Sequence, residues 1–512
     1  MYFDTVEPHW WRYGDVMVVL EEPLKGVTKV LNYIDGDWVE SESSKTNDIG
    51  NPATLKKIAE APEGSAEDVK AAVDAAADAF PSWRQTTPLT RARYFFRLKE
   101  LLEENFETLS RVCTMEHGKI IDESRGEVRR GIENVEVAAG IPSLMMGYNL
   151  EDISREIDEI VIKQPLGVFA CIAPFNFPFM VPLWFIPTAV ATGNTYVLKP
   201  SPWTPLSMVR FMELVDEAGF PPGVINMVHG NVEPVNEIIA NPKIRGISFV
   251  GSTQIGRDVI YKGAAARGKR VQAQCGAKNH LVVMPDADIE STIPSLLSSF
   301  FGNTGQRCLA GANLVMVGDD DAWVKKTLSQ IREATAKIKI GYGLEEGIQM
   351  GPLQTESRKK RVIGYIEKGV AEGAKLVMDG RKFNSSGYPE KCFLGPSIFE
   401  GVTPDMIIAK EEIFGPVMSV MRVSSLDEAI ETVNKSAYGN AASIFTNSGK
   451  SGRKFQYDVQ CGNIGVNIGT AAPMAFFPFS GMKDSFFGDL HGQGRDAVEF
   501  FTENKVVIQR WP

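Results

Sequence analysis

The chain has 512 residues, 44% hydrophobic and 23% charged, which is ordinary globular composition and enough for two or three domains with sizeable cores. Its formal net charge of -10 argues against a nucleic-acid surface or a polybasic membrane patch. The six cysteines lack CxxC or CxxH spacing and the five histidines are dispersed, which indicates neither a disulfide framework nor a zinc site and fits a reducing, cytoplasmic setting.

Residues 1–30 carry neither the apolar core of a signal peptide nor the acid-poor bias of a transit peptide. They read as an N-terminal extension, expected to pack against a neighbouring subunit through Trp10 and Trp11. The alternating run NYIDGDWV, Asn32 to Val39, centres on an Asp-Gly pair and predicts a hairpin. From Ala66 the apolar positions Val69, Val73, Ala76, Ala77 and Phe80 keep helical spacing, and Pro81 is expected to stop that helix. A second helix is predicted from near Thr90, with Phe95, Leu98, Leu101 and Leu102 facing inward. Further helical segments follow toward Pro142, with breaks at Gly118 and Gly131. This part of the chain is expected to supply helices, not strands.

Beyond Leu150 short β-rich runs alternate with helical stretches: Glu159 to Lys163, Gly167 to Ala173, Thr195 to Leu198, Val224 to Val228 and Ile247 to Val250. That alternation predicts a parallel α/β sheet, whose ligands bind beyond the carboxyl ends of the strands. The loops there are APFNFP (173–178), LKPS (198–201) and FVGSTQIG (249–256). Gly251 and Ser252 follow a strand and precede a helix, a place for either a phosphate or an ordinary turn. Lys199 reads either as a ligand for a ribose hydroxyl or phosphate or as a solvated lysine. The longest apolar stretch, Phe175 to Ala191, is broken by Pro178, Pro182 and Pro187, so no transmembrane helix is predicted and the protein is expected to be soluble.

A second α/β unit is predicted from the strand HLVVM at His280, the helix Trp323 to Lys339 and the strand Lys375 to Met378. The tail KVVIQ, Lys505 to Gln509, reads as a short strand with an edge open to subunit pairing. Within the second unit lies FGNTGQRC, Phe301 to Cys308. A cysteine attacks as its thiolate, and the adjacent Arg307 is expected to lower the thiol pKa. Cys308 is therefore the candidate nucleophile.

APFNFP, LKPS, FVGS, GQRC and KEEIFGP, in that order and spacing, resemble the aldehyde dehydrogenase superfamily across roughly residues 31 to 512. PFNFPFMVPLWFIP, QCGAKNH and GQRC look most like its methylmalonate-semialdehyde dehydrogenase branch, which passes an acyl group to coenzyme A. The resemblance implies an α/β fold with a Rossmann-type NAD(P)-binding domain over 31–149 and 171–279, and an α/β catalytic domain over 280–489. It also implies a β oligomerisation arm from 150–170 and 490–512, and a homotetramer built as a dimer of dimers. By the same resemblance Cys308 is the nucleophile and Asn176 the side-chain donor of the oxyanion hole. Lys199, Gly251, Ser252 and Glu412 would hold the ribose and pyrophosphate of NAD, with Ala173, Phe175 and Cys275 lining its path.

Oxidation by that route leaves a thioester on Cys308. Where hydrolytic branches place a glutamate as base for water, this chain has Gln274, and an amide cannot accept the proton. A thiol such as CoA needs that help far less. The carboxylate of a methylmalonate or malonate semialdehyde is expected to be clamped by Arg307 and Arg130, with Arg129 and Arg125 as alternatives. Loss of carbon dioxide from such a thioester gives propionyl-CoA or acetyl-CoA. Pro202 stands where the family usually carries a carboxylate that grips the adenosine ribose, which leaves NADP open beside NAD. PMAFFPF, 473–479, lies where substrate-lining residues are expected and leaves room for a different semialdehyde. Two other readings stand: an NAD(P)-dependent dehydrogenase that releases a free acid, and a catalytically silent scaffold. The intact Cys308 and Asn176 argue against the scaffold.

Overall fold

The computed structural model describes residues 19–385 and 387–511. Trp10 and Trp11, and the packing expected of them, lie outside the described residues. The predicted hairpin forms from Asn32–Ile34 and Asp37–Val39, paired antiparallel. Its turn places Asp35 and Gly36 at φ of 54° and 86°, the two positive values that a tight hairpin with right-handed twist requires.

Helix Ala66–Gln85 starts at a capping box in which Ser65 and Asp68 bond reciprocally. Pro81 does not end it. The proline lies on the exposed side, and two residues later buried Trp83 donates its indole N–H to the Val190 carbonyl at 2.9 Å, which holds the final turn in place. The next helix, Pro88–Glu104, buries Phe95, Leu98, Leu101 and Leu102 as the periodicity required. Gly118 does terminate a helix, Phe106–His117, at φ 95°. Gly131, by contrast, sits inside Ile121–Ala139, where a Cβ would come within 2.6 Å of the Phe179 ring. It is there for close packing, not for a break. Two strands also went unread in this part of the chain, Thr46–Gly50 and Lys57–Pro62, which pair antiparallel beside Thr28–Lys29.

An eight-stranded sheet follows the order Phe486–Gly488, Arg270–Gln274, Ile244–Val250, Val168–Ile172, Thr195–Lys199, Ile225–Met227, Asn32–Ile34, Asp37–Val39. Its inner strands are parallel; an antiparallel strand closes one side, and the antiparallel hairpin of Asn32–Ile34 and Asp37–Val39 closes the other. Strand order reverses between Val168–Ile172 and Ile244–Val250, and such a switch point opens a crevice at the carboxyl ends. APFNFP and Gly251-Ser252 leave from those two ends.

A seven-stranded sheet runs Lys375–Met378, Ser397–Glu400, Val417–Val423, Gly311–Val317, Asn279–Val283, Ala441–Phe445, Asn463–Val466, parallel except at its first strand. Only residues 275–278 separate Gln274, the last residue of a strand in the first sheet, from Asn279, the first of a strand in the second. That short link turns the carboxyl ends of one sheet toward the amino ends of the other. Cys308 precedes Gly311–Val317 and so stands in the space between them.

Thr502–Gln509, Ile157–Pro165 and Asn149–Ser154 form a separate antiparallel ribbon with Thr502–Gln509 at one edge. Among the described residues no helix is long and apolar enough to cross a membrane. All six cysteines are free, and no group of side chains among the described residues has the makings of a metal site.

Candidate active site

Helix Ile289–Phe301 delivers the chain into a 3-10 turn, Gly302–Gly305, in which Asn303 and Thr304 take left-handed φ of 51° and 53°. A β-branched residue in that region is strained, and the surroundings hold it there. The Asn303 amide donates to Glu123 Oε1 at 2.6 Å, and the Thr304 hydroxyl donates to the Gly351 carbonyl at 2.8 Å. Gln306 Oε1 accepts from the Gln354 amide at 3.2 Å. Beyond the turn, the side-chain amides of Asn279 and Asn440 donate to the Cys308 carbonyl at 2.8 and 2.9 Å. The nucleophile is thus fixed from both sides of its loop.

Cys308 stands where two clefts meet. The first, about 480 Å³, is lined by Ala173, Phe175, Asn176, Gly251, Ser252, Cys275 and Glu412 together with Ser201, Pro202, Phe249, Arg358 and Arg361. The second, about 470 Å³, is lined by Arg130, Arg307, Glu123, Glu127, Glu133, Phe177, Trp184 and Phe479. Both volumes suit a small ligand or a large part of a nucleotide. The walls of the first cleft are packed too closely for side chains at three glycines. A Cβ on Gly251 would strike the Phe249 ring at 2.5 Å, one on Gly256 the Cys275 sulfur at 2.3 Å, and one on Gly276 Glu412 Oε2 at 2.9 Å. Past Ser252 the helix includes a π-helical segment, Ile255–Tyr261, an irregularity common at functional sites.

Comparison with known proteins gives the family. The model of the aldehyde dehydrogenase family matches residues 38–507. The chain belongs to the aldehyde dehydrogenase family. It is 50% identical to malonate-semialdehyde dehydrogenase 1 of Geobacillus thermodenitrificans over 487 residues, 95% of this chain and 99% of that one. A protein of Sinorhizobium meliloti 1021, assigned as a methylmalonate-semialdehyde dehydrogenase and solved with NAD, superposes with a TM-score of 0.93 at 40% identity, covering 95% of this chain and 98% of that one. Methylmalonate-semialdehyde dehydrogenase of Oceanimonas doudoroffii gives 0.91 at 43% identity, over 95% and 99%.

Within this aldehyde dehydrogenase chain, three expectations about charge need correction or completion. Arg307 does not depress the thiol pKa, because its guanidinium is paired with Glu123 at 2.8 Å and donates to the Ser298 carbonyl at 3.2 Å. Burial instead pushes the Cys308 thiol up to about 12, with the Glu412 carboxylate adding to the rise. Lys199 does not line the cleft. It is 3% exposed and donates to the carbonyls of Pro200 and Gly230 at 2.9 and 2.7 Å, and burial lowers it to about 8. Arg130 does reach the second cleft, where it donates to the Pro473 carbonyl at 3.1 Å and lies 3.7 Å from Glu133.

Asn176 donates to the Gln306 carbonyl at 3.0 Å, which brings its amide to the nucleophile loop. Its own carbonyl accepts from Lys119 Nζ at 2.7 Å, and that ammonium also pairs with Glu127, both side chains being fully buried. Glu127 in turn receives the Phe179 amide at 2.8 Å and the Met180 amide at 3.2 Å. Neither Lys119 nor Glu127 was singled out from sequence; only their placement eight residues apart around a helix start hints at a pair. Gln274 is 4% exposed, its Nε2 lies 3.4 Å from the Phe479 carbonyl, and its Oε1 has no partner among the described residues. It shares a narrow recess with Cys308, Cys275 and Asn440. Glu412 accepts the Ala277 amide at 3.0 Å, and burial raises it to about 7.

Proposed function

We propose that this chain oxidises malonate or methylmalonate semialdehyde, forms a thioester on Cys308 and transfers the acyl group to coenzyme A with loss of carbon dioxide, giving acetyl-CoA or propionyl-CoA. The relatives named malonate-semialdehyde and methylmalonate-semialdehyde dehydrogenase support the substrate class. The observation that carries the acyl transfer is Gln274, an amide buried beside Cys308 where hydrolysis needs a base.

Cys308 Sγ adds to the aldehyde carbon, and the developing alkoxide is met by the Asn176 side-chain amide and the Cys308 backbone N–H. Arg130 and Arg307, both lining the second cleft, orient the substrate carboxylate there. The first cleft fits a nicotinamide dinucleotide, with Gly251, Ser252 and Glu412 among its lining residues to hold it. When bound, NAD supplies the hydride acceptor; the S. meliloti protein was solved with that dinucleotide, and NAD is accordingly preferred here to NADP. Cys308 then carries the acyl group as a thioester. With Gln274 unable to take a proton from water, the thiol of CoA is the better acceptor, since it is already a good nucleophile. Decarboxylation follows from the carboxylate one carbon from the thioester carbonyl, whose departure leaves a stabilised enolate.

The reading extends to a cytoplasmic homotetramer, in which the open edge of Thr502–Gln509 pairs with a neighbour. That strand lies at one edge of its ribbon, and its Val506 and Ile508 are 58% and 66% exposed, which supports a partner there. The deciding experiment follows reduced-dinucleotide formation from methylmalonate semialdehyde with and without CoA, while acyl-CoA and carbon dioxide are assayed. A single-turnover burst followed by a CoA-dependent steady rate is expected. Steady turnover to free acid without CoA would overturn the acyl-transfer reading.

A further inference from the structure

The segment that carries Asn176 has no regular structure of its own. It runs from the end of strand Val168–Ile172 to helix Met180–Leu183, and Pro174 and Pro178 bring no N–H groups to it. Backbone polar groups in a mostly buried stretch must find partners, and here side chains supply them. The Lys119 ammonium donates to the Asn176 carbonyl at 2.7 Å and to Glu127, and lies 4.3 Å from the centroid of the Phe177 ring. Glu127 Oε1 accepts the amides of Phe179 and Met180. Two side chains thus grip the segment at Asn176 itself and again just beyond it.

Lys119 is seated in turn. It follows Gly118, whose left-handed φ of 95° ends helix Phe106–His117, and a Cβ on Gly351 or on Gly343 would strike the carbonyl of Gly118 or of Lys119. Glu127 rises from helix Ile121–Ala139, and Glu123, one turn earlier on it, holds the Asn303 amide and the Arg307 guanidinium of the nucleophile turn. One helix face therefore spaces the nucleophile loop from the Asn176 loop. The Asn176 side-chain amide has two hydrogens to donate. One goes to the Gln306 carbonyl at 3.0 Å, which leaves the other for an alkoxide. Where that second hydrogen points follows from the plane of the amide, and so from the backbone that Lys119 holds.

We propose that Lys119 and Glu127 are positioning residues for the oxidation step: their buried pair sets the Asn176 amide against the oxygen that becomes an alkoxide when Cys308 adds to the aldehyde. The inference rests on the part given to Asn176 above and goes beyond it, since it assigns rate to a pair whose side chains have no exposed surface. A donor already aimed at developing charge needs no reorganisation at the moment of reaction. A misplacement of about 1 Å is enough to cost about 100-fold.

The test is a double-mutant cycle read in the single-turnover burst of reduced dinucleotide from methylmalonate semialdehyde and NAD, without CoA. Asn176→Ala is expected to slow the burst about 100-fold or more. Lys119→Met is expected to slow it about tenfold or more, with the aldehyde concentration for half-maximal burst changed less than about twofold. In the Asn176→Ala background the same change should slow it less than about twofold, because the donor it acts through is gone. Lys119→Met/Glu127→Gln separates positioning from folding. It leaves no unpaired charge and keeps an acceptor for the Phe179 and Met180 amides, so its thermal midpoint should return close to wild type while the burst stays slow. Iodoacetamide should alkylate Cys308 in that variant at the wild-type rate, since Glu123 still holds the nucleophile turn. Effects that multiply in the cycle, a burst that recovers along with the thermal midpoint, or alkylation slowed as much as the burst overturns the proposal. An Asn176→Ala burst at the wild-type rate would remove the oxyanion reading and the positioning with it. A wild type that makes no acyl-CoA sinks only the transfer to CoA and leaves the burst comparison intact.

Discussion

At the scale of single residues, the environment of Cys308 works against its reactivity in the free protein. Burial comes first and the Glu412 carboxylate second in raising the thiol, so removing that charge should lower its pKa. Glu412→Gln is expected to be alkylated by iodoacetamide several-fold faster than wild type at pH 8. An equal or slower rate would show that Glu412 does not act on the sulfur. Gln274→Glu restores a base beside the thioester, and CoA-independent release of free acid should rise toward the roughly 100-fold that such assistance is worth. The residues that came out of the sequence converge on one cleft: Asn176, Gly251, Ser252 and Cys275 sit in motifs that leave strand ends, and Glu412 in the loop after helix Ile407–Lys410. Arg358 and Arg361 were not legible, because nothing in RKKR says which two of four cations a helix will turn inward. The ion pair that Arg307 makes was hidden as well, since Glu123 lies 184 residues away in sequence.

At the scale of elements, helix Ile121–Ala139 acts as the backplate of the site. It supplies Glu123 to the nucleophile turn, Glu127 to the Asn176 loop and Arg130 to the second cleft. Lys119, just before it, completes the tie through the Asn176 carbonyl. Removing one partner of a fully buried pair leaves an uncompensated charge, so Lys119→Met should cost about 3 kcal/mol of stability or more, read as a lower denaturant midpoint. Gly131 on the same helix lets Phe179 approach to contact, and Gly131→Ala should cost about 1–3 kcal/mol through overpacking. A thermal midpoint equal to wild type would argue that the Phe179 ring moves aside freely. The two misread signals share one physical origin. Pro81 and Gly131 are breakers by local propensity, and in both places tertiary packing, by Trp83 and by Phe179, decides the outcome.

At the scale of the whole molecule, the parallel sheet was legible because its strands are buried on both faces and read as apolar runs spaced by helices. The strands Thr46–Gly50 and Lys57–Pro62 were not, being partly exposed and carrying no clean alternation. Acid should weaken the assembled fold. Burial holds His229 and His280 down to about 3, below the ordinary imidazole value near 6.5. A depressed folded pKa gives stability that is present above about 6.5 and lost as pH falls toward 3, so the thermal midpoint is expected to drop steadily between pH 6.5 and 4. A midpoint flat over that window would show that the two imidazoles are already charged in the native state. The meeting of two clefts at Cys308 also governs traffic. On the function proposed above, an acid-bearing aldehyde arrives by the cleft that Arg130 lines and a nucleotide by the one that Gly251 lines, so neither stands in the other's doorway. If the thiol carrier, itself an adenine nucleotide, enters by the first cleft, queueing falls on the nucleotide side, where the spent dinucleotide has to leave before it. Added NADH should therefore raise the CoA concentration needed for half-maximal turnover and leave that for aldehyde unchanged.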